Sequence, residues 1–371
     1  MKVVVILPTY NEKENIRSLL DAICSQVAGV KNHSFSYLVV DDTSPDGTGD
    51  VVRAIQKKNH EVFLISGAKK GLGKALLRGM QYAVTSLHAE LIVQMDADLS
   101  HDPAVIPSMI YSIDKGADFV VGSRYIPGGS IPDNWGIHRK IFSKVGNAIV
   151  RFGLGYSSVH DWTGGFRTFH KKFVDSVGPE MASFSGYVFQ IAFLHKSLKR
   201  GANVVEVPIQ FLDRKYGKSK IAPSEYIRNV LAYVLQERLR SLYRGPFKKF
   251  AVVGSIGFLI NTVILELLVV FGMHPVIGSL VGAELAITSN FFLNNSWTFN
   301  SRKIKSDNMI KKFLQFNGAS VGAMLIQSGT VAVGTLYFGS GLYRPFYMIG
   351  VGIGLFWNYF MYSRVIWKKR E

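Results

Sequence analysis

Cysteine is almost missing from this chain: Cys24 stands alone among 371 residues. That excludes an internal disulfide framework and suits a reducing compartment. The N-terminus offers no signal peptide, because Pro8 and Asn11 break the short apolar run of MKVVVILPTYNE before any cleavage-like site. Two glycine-rich nucleotide signatures are lacking too. GAKKGLGKA misses the G-x-x-x-x-G-K-[S/T] spacing, with Ala75 where a metal-binding hydroxyl belongs, and Leu76 occupies the third position of G-x-G-x-x-G. P-loop chemistry and hydride transfer are therefore disfavoured. Acidic residues are few, 26 against 43 Lys and Arg, giving a net charge of +17. Such a surplus favours an anionic partner: nucleic acid, a phosphorylated substrate or an acidic membrane.

What is present divides unevenly. Up to about Arg244 short apolar runs alternate with polar helical stretches, and beyond it come four long apolar segments. They run Phe250–Phe271, Pro275–Phe299, Phe313–Phe338 and Phe346–Trp367, each reaching the ~20 residues that cross ~30 Å of hydrocarbon. Four core helices of a soluble domain are the plain alternative, but SIGFLINTVILELLVVFG has almost no polar stripe. Arg238, Arg240, Arg244, Lys248 and Lys249 precede the first segment. Arg302, Lys303, Lys305, Lys311 and Lys312 lie between the second and third, and Arg364, Lys368, Lys369 and Arg370 close the chain, while the other two connections carry only Arg344. The positive-inside rule then puts both termini and the middle loop in the cytoplasm. This basic collar accounts for much of the charge, which weakens the case for nucleic acid. Residues 221–245 mix apolar and basic residues at helical spacing and read as an interfacial amphipathic segment between a cytosolic domain, 1–220, and a membrane domain, 246–371.

In the first domain KVVVILPTY, SYLVVDD, EVFLIS, LIVQMDAD and ADFVVGSRY read as buried strands. Helical patterns over 14–27, 49–58, 73–87 and 103–115 lie between them. This α/β alternation predicts a mostly parallel sheet flanked by helices, with ligands bound along the strands' C-terminal edge. Polar clusters follow all five strands, as expected of a binding edge. In VQMDADLSHDP the carboxylates Asp96 and Asp98 stand two positions apart directly behind a strand. Repulsion and lost solvation disfavour such a pair unless a cation sits between them. Mg²⁺ or Mn²⁺ takes one or two carboxylates together with substrate phosphate oxygens. A solvated turn with a helix cap at Ser100 or Asp102 is the plain alternative, and Pro103 is placed to open that helix.

LPTYNE, VVDDTSPDGT, GLGKA, MDADLSH, GSRY, DWTGGFR, GYVFQ and VPIQFLDRKYGKSK resemble, in order, the motifs of dolichol-phosphate mannose synthases. The resemblance spans about residues 1–235, and the C-terminal block looks like the small four-span domain of many microbial polyprenyl-phosphate glycosyltransferases. It implies a GT-A fold, inverting family-two chemistry, a GDP-mannose donor and a dolichyl or other polyprenyl phosphate acceptor. Pro8, Tyr10, Glu12 and Asp42 would line base and ribose, with Lys74 nearby. Asp96 and Asp98 would hold the metal; Ser100, where some members carry a glutamine ligand, is a smaller and weaker donor. Arg124 would sit by the transferring groups, and Arg139 and Ser143, one helical turn apart, would grip the lipid phosphate. Arg214 and Lys220 would close over the phosphates from a loop.

Plainer readings stand beside these. Arg214, Lys215, Lys218 and Lys220 are compatible with a basic skirt on anionic lipid, and Arg139 and Lys140 with interfacial snorkelling. Asp161 and Arg167, flanking TGGF, read equally as a structural ion pair. A UDP-glucose donor is the nearest rival function. A processive polysaccharide synthase would need Q-x-x-R-W, which none of the five tryptophans completes. A lipid-linked sugar flippase or channel with a regulatory soluble domain is the rival from another class, with Glu266 and Glu284 inside the apolar segments as its markers. Oligomeric state is left open.

Overall fold

A computed structural model describes residues 1–184, 186–213, 223–339 and 342–368. The chain forms two compact units, Met1–Arg238 and Leu239–Glu371.

The first unit is built on seven strands: β1 (Lys2–Thr9), β2 (Ser34–Asp41), β3 (Val62–Ser66), β4 (Leu91–Gln94), β5 (Phe119–Ser123), β6 (Arg167–His170) and β7 (Val204–Pro208). Their order is β3-β2-β1-β4-β6-β5-β7. All neighbours run parallel except β6, which is antiparallel to both β4 and β5. Helices α1 (Lys13–Val27), α2 (Thr48–Gln56), α3 (Leu72–Thr85) and α4 (Ile106–Asp114) connect the early strands; α5 (Ile137–Leu154), α6 (Lys171–Val177) and α7 (Gly186–Lys199) follow, and α8 (Pro223–Arg244) carries the chain across the unit boundary after Arg238. Alternation along β1 explains the two cores. Val3, Val5 and Leu7 pack with Ile16, Leu20 and Met109 of α1 and α4, whereas Val4 and Ile6 pack with Leu76 and Met80 of α3 and Phe193 of α7. A Cβ on Gly79 of α3 would meet Val40 at 2.8 Å and Ile6 at 2.9 Å, so glycine sets that close helix–sheet approach.

The five apolar runs of the sequence appear as β1–β5, and β6 and β7 are additional. β6 escaped notice because its core is polar: Arg167 and Thr168 are fully buried. Burial is possible because the Arg167 guanidinium donates to the carbonyls of Gly164, Gln190 and Trp162.

In the second unit α9 (Phe247–Val270) packs on α10 (Pro275–Leu293), and α11 (Met309–Phe338) on α12 (Tyr343–Met361). Among the described residues, α9 and α11 are long and apolar enough to cross a membrane. The α9–α10 contact is reciprocal. A Cβ on Gly257 would lie 2.3 Å from Asn290 Nδ2, and one on Gly282 would lie 2.6 Å from Asn261 Oδ1. Small residues thus admit a polar side chain from the facing helix, a packing mode suited to a lipid surround. At one end Phe291, Phe299, Phe316, Tyr362 and Trp367 form a buried aromatic cluster, with Trp367 Nε1 donating to Asn295 Oδ1 at 3.0 Å.

Candidate active site

The C-terminal edge of the sheet carries backbone strain as well as polar groups. Asn11, Thr43 and Leu99 adopt positive φ of 61°, 54° and 62° in the loops leaving β1, β2 and β4. Non-glycine residues seldom take this conformation, and such strain gathers at functional sites.

On the β1–β2 side, register pairs Thr9 with Asp41, and the Asp41 carboxylate accepts from Thr9 Oγ1 at 2.9 Å and from Ser44 Oγ at 2.5 Å. Its neighbour Asp42 accepts from Arg78 Nη2 at 2.8 Å. Asp42 therefore reaches the edge as half of an ion pair, and sequence reading missed its partner, an arginine on α3 with no motif around it. Pro8 is half-buried within β1. The Tyr10 ring lies 3.5 Å from Lys69 Nζ, a second cation that no sequence motif marks. Glu12 accepts from Asn15 Nδ2 at 2.8 Å while its own N–H donates to Thr48 Oγ1 at 3.0 Å. Lys74 donates to the carbonyl of Ala182.

The β4 loop is drawn into a tight turn. Asp98, 6% exposed, accepts from the Ser100 N–H at 3.1 Å and the Ser100 hydroxyl at 2.5 Å. That hydroxyl shapes the turn, and Asp102 separately caps the next helical turn by accepting from the Ala104 N–H at 2.9 Å. The Asp96 N–H donates to Nδ1 of buried His101 at 3.1 Å, and burial pushes the His101 imidazole below its ordinary value despite the neighbouring Asp96. A Cβ on Gly165 would stand 3.1 and 3.2 Å from the two Asp96 oxygens, so glycine leaves that flank of the carboxylate open. No group of three or more metal-binding side chains is gathered among the described residues; two carboxylates are what this loop offers an ion.

Behind β5, Arg124 holds Asp161 through both Nε and Nη2 at 2.7 Å, and Nη2 also donates to Thr163 Oγ1 at 2.8 Å. The pair is buried, with side chains 8% and 0% exposed. Burial alone would raise the Asp161 carboxyl, but the charge and N–H groups of Arg124 and the Gly164 N–H hold it below the usual carboxylate range. Asp161 is thus paired with Arg124, whereas Arg167 binds carbonyls. Glu206 of β7 fixes this loop from below, accepting from the Asp161 N–H at 2.9 Å and contacting His160 Nδ1 at 2.7 Å.

On α5 Ser143 Oγ lies 2.5 Å from the Tyr125 hydroxyl. Arg139 stacks on Trp135 at 3.7 Å and stands 4.0 Å from Asp213. Phe211 ties these parts together, with its ring 5.3 Å from the Arg124 guanidinium, 5.4 Å from His101 and 5.9 Å from Trp135. The Leu212 N–H donates to the Ser100 carbonyl at 3.0 Å. Strand end, acidic loop and α5 are therefore connected through an aromatic that no sequence pattern singled out. Arg214 and Lys220 lie outside the described residues. The remaining face of α5 is apolar and open: Ile137, Ile141, Phe142, Val145 and Phe152 are exposed.

Residues 4–178 match the model of glycosyl transferase family 2, and residues 249–367 match the GtrA/DPMS transmembrane domain. A dolichol-phosphate mannosyltransferase of Pyrococcus furiosus is 34% identical over 88% of either chain. A polyprenol monophosphomannose synthase of Mycolicibacterium smegmatis is 36% identical over 64% of this chain and 88% of its own. An undecaprenyl-phosphate mannosyltransferase of Micrococcus luteus is 33% identical, over 65% of this chain and 98% of its own.

Proposed function

The chain belongs to the dolichol-phosphate mannosyltransferase family of membrane-bound family-two glycosyltransferases, and from that premise we propose that it transfers mannose from GDP-mannose to dolichyl or another polyprenyl phosphate. An oxygen of the acceptor phosphate attacks the anomeric carbon as the bond to GDP breaks, and the electron pair leaves on the β-phosphate. The acceptor is already an anion, so no base is needed to create it; it needs holding in line. Attack from the opposite face inverts the centre, giving a β-linked lipid product from an α-linked donor.

The observation that carries this reading is the Asp96–Asp98 loop at the end of β4, opened by Gly165. Two carboxylates there fit Mg²⁺ or Mn²⁺ with a diphosphate completing the ligand set. Such an ion, when bound, neutralises charge on the donor diphosphate. Asp41, Asp42, Tyr10 and Glu12 form the nucleotide side, with Pro8 and Lys74. Asp161 fixes Arg124 before any ligand arrives, so its charge is preorganised for the transferring groups. Arg139 and Ser143 take the acceptor phosphate from one face of α5, and Arg214 and Lys220 close over the phosphates.

The open apolar face of α5 and the exposed Leu231 and Leu235 of α8 support contact with the bilayer, where a long isoprenoid must stay. We assign the second unit four spans, with both termini and the 300–312 connection cytoplasmic. A cysteine placed at Lys305 should then be labelled from the cytoplasmic side. The reaction is tested by incubating membranes with labelled GDP-mannose or UDP-glucose and polyprenyl phosphate, then weighing the product. A hexosyl lipid formed from UDP-glucose alone would overturn the donor.

A further inference from the structure

Asp41 and Asp42 stand side by side where β2 ends, but their carboxylates are used differently. Asp41 is taken up by its own turn: Oδ1 accepts from Thr9 Oγ1 and Ser44 Oγ, and Oδ2 accepts from the Ser44 N–H at 2.9 Å. Asp42 Oδ1 accepts from Arg78 Nη2 at 2.8 Å, whereas Oδ2 takes no hydrogen bond from any described residue. The Asp42 side chain is only 8% exposed, yet Oδ2 is not sealed from solvent. One oxygen of a largely buried carboxylate is therefore held by an arginine, and the other opens on the binding edge.

Arg78 reaches Asp42 because residue 67 is glycine. A Cβ there would lie 2.5 Å from Arg78 Nη1 and 2.6 Å from its Cζ. Gly67 is itself fixed between the two loops, its N–H donating to the Asp41 carbonyl at 3.0 Å and its carbonyl accepting from Thr43 Oγ1 at 2.9 Å. The guanidinium thus occupies a slot shaped by the ends of β2 and β3. Among the described residues Asp42 is the one acceptor Arg78 has, and its Nε is buried without any. Such a pairing locks the carboxylate's orientation before a ligand arrives.

A carboxylate oxygen only accepts, so it has nothing to offer a diphosphate, which has no proton to give near neutral pH. β2 lies two strands from β4, about 10 Å across the sheet. A donor whose diphosphate sits at the Asp96–Asp98 loop reaches Asp42 with its base, the ribose lying between. Guanine presents its N1–H and amino group side by side, whereas uracil presents one N–H between two carbonyls that repel a carboxylate. We propose that Arg78 is a positioning residue that holds Asp42 against the N–H edge of the base and so sets a preference for guanine over uracil. This rests on the donor reading above and deepens it.

The test is isothermal titration calorimetry of the full chain in detergent with GDP or UDP, each in the presence of Mn²⁺. The wild type should bind GDP at least about tenfold more tightly than UDP, because a site built around a hydrogen bond rejects a base that cannot make it. Arg78→Met should weaken GDP at least about tenfold and UDP less than about threefold. It should raise the donor KM while kcat and the acceptor KM stay within about threefold of wild type, and Arg78→Lys should recover part of the loss. Gly67→Ala, which displaces the guanidinium without removing its charge, should weaken GDP in the same way, and should add nothing when Arg78 is already alanine. GDP affinity unchanged in both Arg78→Met and Gly67→Ala overturns the proposal. Equal weakening of GDP and UDP also overturns it, because Arg78 would then be structural only. A wild-type chain that prefers UDP, or binds neither nucleotide, overturns the donor reading, and the proposal with it, before any variant is compared.

Discussion

The two units place their polar groups by opposite rules. In the first, carboxylates and arginines gather where strands end, and most are tied in pairs: Asp41 with Thr9, Asp42 with Arg78, Asp161 with Arg124. In the second, polar residues sit within the helices, and Asn261 and Asn290 serve as packing pieces against Gly282 and Gly257. Apart from Arg167 in β6, the sheet keeps its buried charged side chains to the edge behind the strands, whereas helices in lipid use small and polar residues to hold each other. The Micrococcus relative, covered almost to its full length by 65% of this chain, has no counterpart of a large part of this chain.

That contrast breaks or sharpens under substitution. Asp98→Ala should reduce transfer about a thousandfold, the scale expected when stabilisation of a developing charge is lost, and turnover that persists in excess chelator would remove the metal. Next in size, Asp161→Ala leaves Arg124 buried without its partner, at a cost of about 3–5 kcal/mol. Thermal melting should show it, and a melting point equal to wild type would make the pair dispensable. Arg139→Ala should raise the acceptor KM about 10- to 100-fold, from the ~1.5–3 kcal/mol of a charged hydrogen bond, with donor KM unchanged; an equal rise in both would end its acceptor role. Gly257→Ala should cost about 1–3 kcal/mol by overpacking while sparing the intrinsic transfer rate. A large loss of kcat without loss of stability would show that the second unit takes part in chemistry.

A pH dependence is expected as well. His195, buried against Tyr233 at 2.8 Å, is pushed down to about 4 by burial and by the charge of Lys199. The unfolded chain takes up that proton first, near the ordinary value of about 6.5. Stability should therefore fall as pH drops from about 6.5 towards 4, and His195→Gln should flatten that slope in melting curves.

Much of this was legible in the sequence. Five strands announced themselves as apolar runs, and Asp96 and Asp98 were marked by their place behind one of them. Partners were not legible, because an ion pair such as Arg78–Asp42 joins residues 36 positions apart and leaves no periodic trace. β6 was hidden by a buried arginine whose guanidinium donates to the carbonyls of Gly164, Gln190 and Trp162, which only folding brings to it. Phe211 looked like one more aromatic until the fold placed it between His101, Arg124 and Trp135.

Of all the measurements, Mn²⁺ binding in the presence of GDP bears most directly on the central claim. Electron paramagnetic resonance of the wild-type protein with Mn²⁺ and GDP should show a bound, nucleotide-dependent ion that Asp98→Asn abolishes. An identical bound-ion signal in that variant would mean the β4 loop does not hold the donor's pyrophosphate, and the account would be wrong at its base.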